Sequence, residues 1–410
     1  MNYYFVSNTL KNIKLDGCHV IIYSDLSKLT TIFSKKGLTS DDIGSKLSMH
    51  NGKYIYFYFD TNSVYSSIKD IAHSIDDACE DVCIDISSLG VEYKHILCQY
   101  ISKYSYDPMK NTIDIYFKDK LKYKGMIMDI INEIKCTNIT RDIENITTNK
   151  LFPDKLSSRI KALFNKQKNT EVIIYSEKQM KQYGLNIILE VALSSHKAPR
   201  FVVIEYIKDR RLPNICLLGK IVCFDTNDLS PRNKNNIQNK TDKSGGAIIC
   251  GIIKYFEKYG NHIDSNIIGI IPIVENLVNC DETNNIQCKD HNIIIDALHF
   301  SEKYNPRCIL DFETLSSSSQ YSLTEHNTIA NISSTNESLL NMTKNIGELV
   351  GERVHILESN KDKLEFVPIK LKNKFIYFDL TNNRNEHGFT GNGVSLGINI
   401  IKKLTRKRRR

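Results

Sequence analysis

At 410 residues the chain has room for one large domain or two ordinary ones, and a composition 41% hydrophobic and 25% charged is that of a soluble globular protein. No stretch approaches the length of an apolar membrane span, and Met1 to Asn8 carries no basic segment leading into a long apolar run, so neither a membrane-spanning nor a secreted product is expected. The formal net charge of +8 is concentrated at one end: Lys402 to Arg410 holds seven basic side chains and no acidic one, which leaves a body near +1.

The first 135 or so residues alternate strand and helix patterns of ordinary length. Lys53 to Asp60, Val82 to Ile86 and Asn111 to Phe117 read as strands, and Ser67 to Ile75 as a helix, which together suggest a small α/β domain. It contains no phosphate loop, catalytic triad or nucleophile elbow. The polar stretch Thr137 to Lys150 marks the expected boundary. Beyond it, Ile215 to Phe224 reads as one apolar strand interrupted only by Gly219 and Lys220. Gly245 to Tyr259 follows as a helix with Ala247, Ile248, Ile252, Tyr255 and Phe256 on one face. Ile267 to Ile273 and Cys308 to Phe312 are further strands, Asn327 to Asn345 a surface loop leading into a helix, and Val394 to Leu404 the last helix. This rhythm predicts a mostly parallel sheet covered by helices, whose site lies beyond the carboxyl ends of its strands, where Asp225 falls.

The 11 cysteines are scattered singly, without a C-x-x-C pair or finger-like histidine spacing. Reduced, mostly buried thiols are therefore expected in place of a structural zinc site or a disulfide framework.

One group of segments carries more. Gly219-Lys220-Ile221-Val222-Cys223-Phe224-Asp225, followed by Lys240-Thr241-Asp242-Lys243-Ser244-Gly245-Gly246-Ala247, resembles the metal-binding signature of the leucyl (cytosol) aminopeptidase family. Arg141-Asp142-Ile143-Glu144-Asn145 resembles the segment leading into that family's catalytic domain. Pro199 to Tyr206, Ile271 to Asn276, Asp296-Ala297-Leu298, Ile309 to Leu315, Gly347 to Val354 and Phe389 to Val394 then follow in family order. Chance matches do not keep order over such a span, so the collinearity identifies a shared fold.

The resemblance implies two divalent metals, zinc or manganese, that activate a water and polarise a peptide carbonyl. Carried over by residue, Lys220, Asp225 and Asp242 occupy metal-ligand positions. The other two ligands belong to a motif that Asn285 to His291 replaces. There Gln287 stands at the aspartate and Lys289 at the bridging glutamate, an ammonium where two dications need an anion. The second catalytic lysine position is Arg232, and the arginine position of the lost motif is His291. Asp281, Glu282 and Asp290 are the carboxylates near enough in sequence to complete a site.

The expected architecture is a small α/β domain at 1–136, a linker and connecting helix at 137–170, a leucyl-aminopeptidase-like domain with a mostly parallel or mixed sheet covered by helices at 171–404, and a basic tail at 405–410. The expected function is a catalytically degenerate, cytoplasmic, oligomer-forming homologue with no cofactor or one weakly held divalent metal. An active divergent metallo-aminopeptidase using two metals is the alternative. The resemblance implies a hexamer or co-assembly with an active paralogue. A third reading is a nucleic-acid scaffold using the basic residues from Lys402 to Arg410, without membrane attachment.

Overall fold

Five short strands near the N-terminus pair in one direction only. They are β1 (Asn2–Ser7), β2 (Cys18–Tyr23), β3 (Tyr54–Tyr58), β4 (Val82–Asp85) and β5 (Asp114–Asp119), in the order β1-β5-β4-β2-β3 with every pairing parallel. The computed structural model describes residues 2–7, 18–23, 54–60, 64, 66–68, 71, 81–106, 114–146, 151–165, 167–193, 195–225, 242–260, 263–277, 292–314, 328–357, 373–380, 384–385, 388–389 and 391–405. Two compact units emerge: Met1–Lys135 with Leu349–Gly351, and Cys136–Glu348 with Glu352–Arg410.

Parallel neighbours need crossover connections. In the first unit α1 (Val91–Ser105) supplies one between β4 and β5. Its Leu97 and Ile101 pack with Val20, Ile22, Ile84 and Phe117 of the sheet and with Ile127, Ile130 and Ile131 from the start of α2 (Lys124–Glu144). Strand β5 alternates half-buried and buried residues, as a sheet with one covered face requires, and ends on the buried Asp119. Of the expected helix Ser67 to Ile75, Ser67, Ile68 and Ile71 are helical and the rest lies outside the described residues.

The division between units falls inside α2, so the polar stretch from Thr137 continues as helix to Glu144. Its polar side chains Thr137, Thr140, Arg141 and Glu144 are buried. Thr140 Oγ1 donates to the carbonyl of Ala247 at 3.0 Å, and Arg141 donates to Asn138 Oδ1 at 2.7 Å. Glu144 is the costly member. Burial raises its pKa to about 7 against the favourable influence of Ser244, Arg141, Lys243 and the Gly391 backbone. A carboxyl raised above its unfolded value binds its proton more tightly in the folded chain. Its contribution is therefore lost as pH rises from 4.5 to about 7. Glu144→Gln is expected to be more stable than wild type at pH 8, by up to about 3 kcal/mol, with the gap closing near pH 5. Urea unfolding at the two pH values reads this directly, and an equal gap at both removes Glu144 as the source.

The second unit carries α3 (Pro153–Leu163), β6 (Thr170–Tyr175), α4 (Glu177–Gln182), α5 (Asn186–Ala192), β7 (Arg200–Tyr206), β8 (Asn214–Leu218), β9 (Ile221–Asp225), α6 (Ser244–Tyr259), β10 (Asn266–Asn276), α7 (Ile293–Ser301), β11 (Cys308–Glu313), β12 (Thr328–Ser333), α8 (Glu337–Val350), β13 (Arg353–Ile356), β14 (Lys374–Leu380) and α9 (Val394–Thr405). The sheet order is β13-β12-β14-β11-β8-β10-β7-β6, with β9 also pairing β10. Strands β8, β9, β10, β11 and β14 form its parallel centre, while β7 and β12 join antiparallel to it. This is the expected α/β architecture with a mixed sheet. Residues 137–170 lie in this unit, where α3 packs against β6, β7 and β10.

Two local expectations are revised. The apolar run Ile215 to Phe224 is two strands, because the chain turns aside at Gly219-Lys220. β8 lies between β10 and β11, whereas β9 pairs with β10 alone. The cause is the start of α6: a Cβ on Gly219 would stand 2.6 Å from the backbone carbon of Gly245. The stretch read as a surface loop from Asn327 contains β12, a strand with Ile329, Ala330, Asn331 and Ile332 buried. Its asparagine and alanine disguise it, and only pairing with β13 and β14 makes it a strand.

Helix α6 is buried on all sides from Ser244 to Phe256, beyond the single apolar face read in its sequence. It packs on β8, β9, β10 and β11 and against α9. The opposite face of the sheet is covered by α5 and α7, through Ile188, Val191, Ile293 and Ala297. Cys83, Cys98, Cys136, Cys216, Cys223, Cys250 and Cys308 are buried and not in disulfides, and burial pushes the Cys83 and Cys308 thiols up to about 11. Among the described residues no helix is long and apolar enough to cross a membrane.

Candidate functional site

The break between β8 and β9 builds the site. Lys220 leaves the sheet there, and its carbonyl accepts the amide of Gly246 at 3.1 Å, which ties it to the first turn of α6. Strand β9 then carries Val222 into a two-bond bridge with Asp242, Val222 N to Asp242 O at 2.7 Å and Asp242 N to Val222 O at 3.1 Å. That bridge holds Asp242 beside Lys220. The ammonium of Lys220, 2% exposed, lies 3.1 Å from Asp242 Oδ2. Asp225 closes β9, and its backbone pairs with Asn276 at the end of β10. Its side chain lies outside the described residues.

Acidic groups on neighbouring strands face the same corner. Asp311 of β11 is opposite Leu218 of β8 on one side and Tyr377 of β14 on the other. Glu313 is opposite Asp379. Because strand side chains alternate, Asp311 and Glu313 share one face of β11, and Tyr377 and Asp379 share that face of β14. Asp311, Glu313 and Asp379 are all buried. Asp311 Oδ1 finds no hydrogen-bond partner, and burial pushes its carboxyl well above the ordinary carboxylate range while Lys220 opposes the shift. Desolvation holds the Tyr377 phenol well above its ordinary value, and Glu313, Asp379, Asp311 and Asp242 add to it. Nearby, Ser195 Oγ donates to Glu275 Oε2 at 2.7 Å.

Of the site residues expected from sequence, Lys220 and Asp242 are thus brought together. Arg232, Gln287, Lys289 and His291 lie outside the described residues, as do Asp281, Glu282 and Asp290. Sequence reasoning placed no chemistry on Glu313, Tyr377 or Asp379, and used Asp311 only as part of a motif. The signal that would have found them is an Asp-x-Glu pair ending an apolar strand, since acids at i and i+2 of a buried strand point into one place.

A pair of dications needs several anionic oxygens gathered around it. Among the described residues no three histidine, cysteine or carboxylate side chains are grouped to hold a metal ion, and Asp242, expected from the resemblance at a ligand position, is engaged by an ammonium. The described donors do not fit a two-metal centre.

Comparison with known proteins gives this corner a family. Residues 138–285 match the model of the cytosol aminopeptidase family, catalytic domain. A probable cytosol aminopeptidase of Rickettsia canadensis is 28% identical over 233 residues, covering 52% of this chain and 46% of that protein. One from Persephonella marina is 27% identical over 274 residues, covering 62% and 54%. The chain thus spans about half the length of the curated relatives it matches. Among solved structures, a leucine aminopeptidase of Caenorhabditis elegans superposes with a TM-score of 0.77 at 13% identity, covering 100% of this chain and 99% of that one. A tomato leucine aminopeptidase mutant gives 0.75 at 15% identity over 98% and 96%. The bottromycin maturation enzyme BotP in complex with Mn gives 0.75 at 14% identity over 95% and 100%. At such identities the structures speak for the fold alone. Family match, named relatives and fold agree, and together they support membership of the leucyl (cytosol) aminopeptidase family.

Proposed function

We propose that this chain is a non-catalytic member of its family, a structural or oligomer-forming protein that keeps the aminopeptidase fold without its two-metal chemistry. The observation that carries the reading is the contact of the buried Lys220 with the partly exposed Asp242 at 3.1 Å, in which two retained ligand positions satisfy each other as an ion pair. Gln287 and Lys289 support it from the sequence, since an amide and an ammonium stand where the family supplies two carboxylates. At most one zinc or manganese ion is held, weakly, by Lys220, Asp225 and Asp242. The remaining role is self-association, as a hexamer or in co-assembly with an active paralogue.

The test is hydrolysis of a leucyl chromogenic amide by the purified, folded chain with added manganese or zinc, beside an Asp225→Ala control, with bound metal and mass in solution measured on the same samples. The expected result is no turnover, fewer than two metals per chain and a discrete oligomer. Turnover that is lost in the control, with two metals bound, overturns the reading and makes the chain an active, divergent metallo-aminopeptidase releasing N-terminal residues from peptides.

A further inference from the structure

The two edges of the larger sheet differ in kind. One is β13, four residues long, which carries Arg353 and His355 and ties Arg353 to Glu348 at 2.8 Å. Short length and charge are the usual means by which an edge is kept from pairing further. The other is β6, six residues from Thr170 to Tyr175, bonded to β7 alone. It holds no proline or lysine, its register with β7 runs without a bulge, and Glu171 is its one charged residue. Val172, Ile173 and Ile174 are each half-buried, so a run of branched apolar side chains reaches the rim.

The register fixes which backbone groups of β6 face outward. Antiparallel partners alternate between residues that exchange both hydrogen bonds and residues that exchange none. The amide of Ile207 donates to the carbonyl of Asn169 at 2.8 Å, one step beyond the pairing of Thr170 with Tyr206. Asn169 is therefore a bonding position, and Glu171, Ile173 and Tyr175 are the others turned to β7. Pro272 agrees with this phase: it stands opposite Phe201, whose own bonds go to Tyr175, so β7 asks no amide of it. The N–H and C=O groups of Thr170, Val172 and Ile174 consequently point away from the sheet, and no hydrogen bond among the described residues uses them. Ser176 does not extend the row, because its amide donates to Gln179 Oε1 at 2.9 Å.

This outward row is symmetric about Val172. A second copy of β6, antiparallel across a twofold axis, satisfies all of it in one register: Val172 bonds Val172, and Thr170 and Ile174 bond each other at both ends. Charge selects that register. It sets Glu171 opposite Ile173 and brings Lys168, exposed before the strand, beside Glu177, exposed after it. The neighbouring registers with the same bonding pattern set Glu171 against Glu171 or bring Lys168 to Lys178, and like charges facing each other are destabilising. A second copy matches both the spacing and the end charges by symmetry, which an arbitrary strand does not.

We infer that β6 is a twofold interface, through which two copies of this chain pair edge to edge so that their sheets run on as one. The inference rests on the self-association proposed above and names its surface; it does not depend on whether the metal corner is active.

The test measures mass in solution by sedimentation of the full chain, wild type against Val172→Pro. That substitution removes an outward amide and leaves the bonds to β7 in place, so the assembly is expected to fall to half its mass. Val172→Cys is expected to give a disulfide-linked pair on mild oxidation, since a bonded antiparallel pair sets its Cα atoms about 5.5 Å apart. Wild type, and Val172→Cys combined with Ile174→Pro, are expected to give none. Lys168→Glu and Glu177→Lys are each expected to weaken association about tenfold, and the double variant to restore it. These exposed charge variants decide the question if Val172→Pro does not fold. A folded Val172→Pro chain that assembles like wild type overturns the inference and leaves self-association to another face. A double charge variant that associates no better than the single ones overturns it as well. A wild-type chain that is monomeric at about 100 μM overturns both this interface and the self-association it rests on.

Discussion

Gly219→Ala is expected to destabilise the second unit by about 3 kcal/mol and to scatter the site with it. The added Cβ would meet the carbonyl carbon and oxygen of Gly245 at 2.6 and 2.7 Å. Neither neighbour is a flexible side-chain end: both belong to the first turn of α6, which is buried on every side. The reciprocal substitution, Gly245→Ala, meets the carbonyl oxygen of Phe312 and comes to 3.1 Å from Gly219 Cα. Relief requires α6 to move away from β8 and β9. That motion draws Gly246 from the Lys220 carbonyl and shifts Lys220 from Asp242. Denaturant unfolding of Gly219→Ala measures the first effect. A variant as stable as wild type would mean that α6 does not approach the strand break this closely.

Lys94→Met is expected to cost the first unit about 3–5 kcal/mol, for an electrostatic reason. Lys94 Nζ donates to Asp119 Oδ2 at 2.6 Å and to the carbonyl of Ile86 at 2.9 Å, with both side chains at 0% exposure. Removing the ammonium leaves a carboxylate without its counter-ion where water does not reach, while the Ile86 carbonyl keeps the Leu89 amide at 3.2 Å. The double variant Lys94→Met with Asp119→Leu removes both charges and is expected to recover most of the loss, because a buried pair replaced by apolar groups of similar volume is close to neutral. A double-mutant cycle by urea unfolding separates the two. Simple addition of the single losses would show that packing, not the buried charge, sets the cost.

These two sites differ in how much of them was legible in the sequence. Gly219, Gly245 and Gly246 stand inside a recognisable motif, but the run around Gly219 read as one strand, and only the fold shows the tight approach of strand and helix. Lys94 and Asp119 gave no such notice. A lysine on a helix and an aspartate ending a strand are ordinary exposed residues until the fold buries them together. The same holds for β12, whose polar and small residues hid a buried strand, and for α6, whose sequence showed one apolar face while its neighbours covered all of them. Periodicity reports which side of an element is apolar. It does not report how many partners will cover the rest.

By itself the sequence determined the alternation of strands and helices, the resemblance to a family through the collinear order of its motifs, and, as that resemblance implies, an amide at Gln287 and an ammonium at Lys289 where two carboxylates are expected. All three are local or sequential properties, carried by residue type and spacing along the chain. Tertiary structure alone decided that Lys220 is paired with Asp242, that Asp311, Glu313, Tyr377 and Asp379 face one corner, and that Lys303 lies near rings from two stretches of chain, 175–183 and 300–304. Those arrangements follow from strand register and from which helix covers which face. They arise from packing between residues far apart in sequence, which no local pattern encodes.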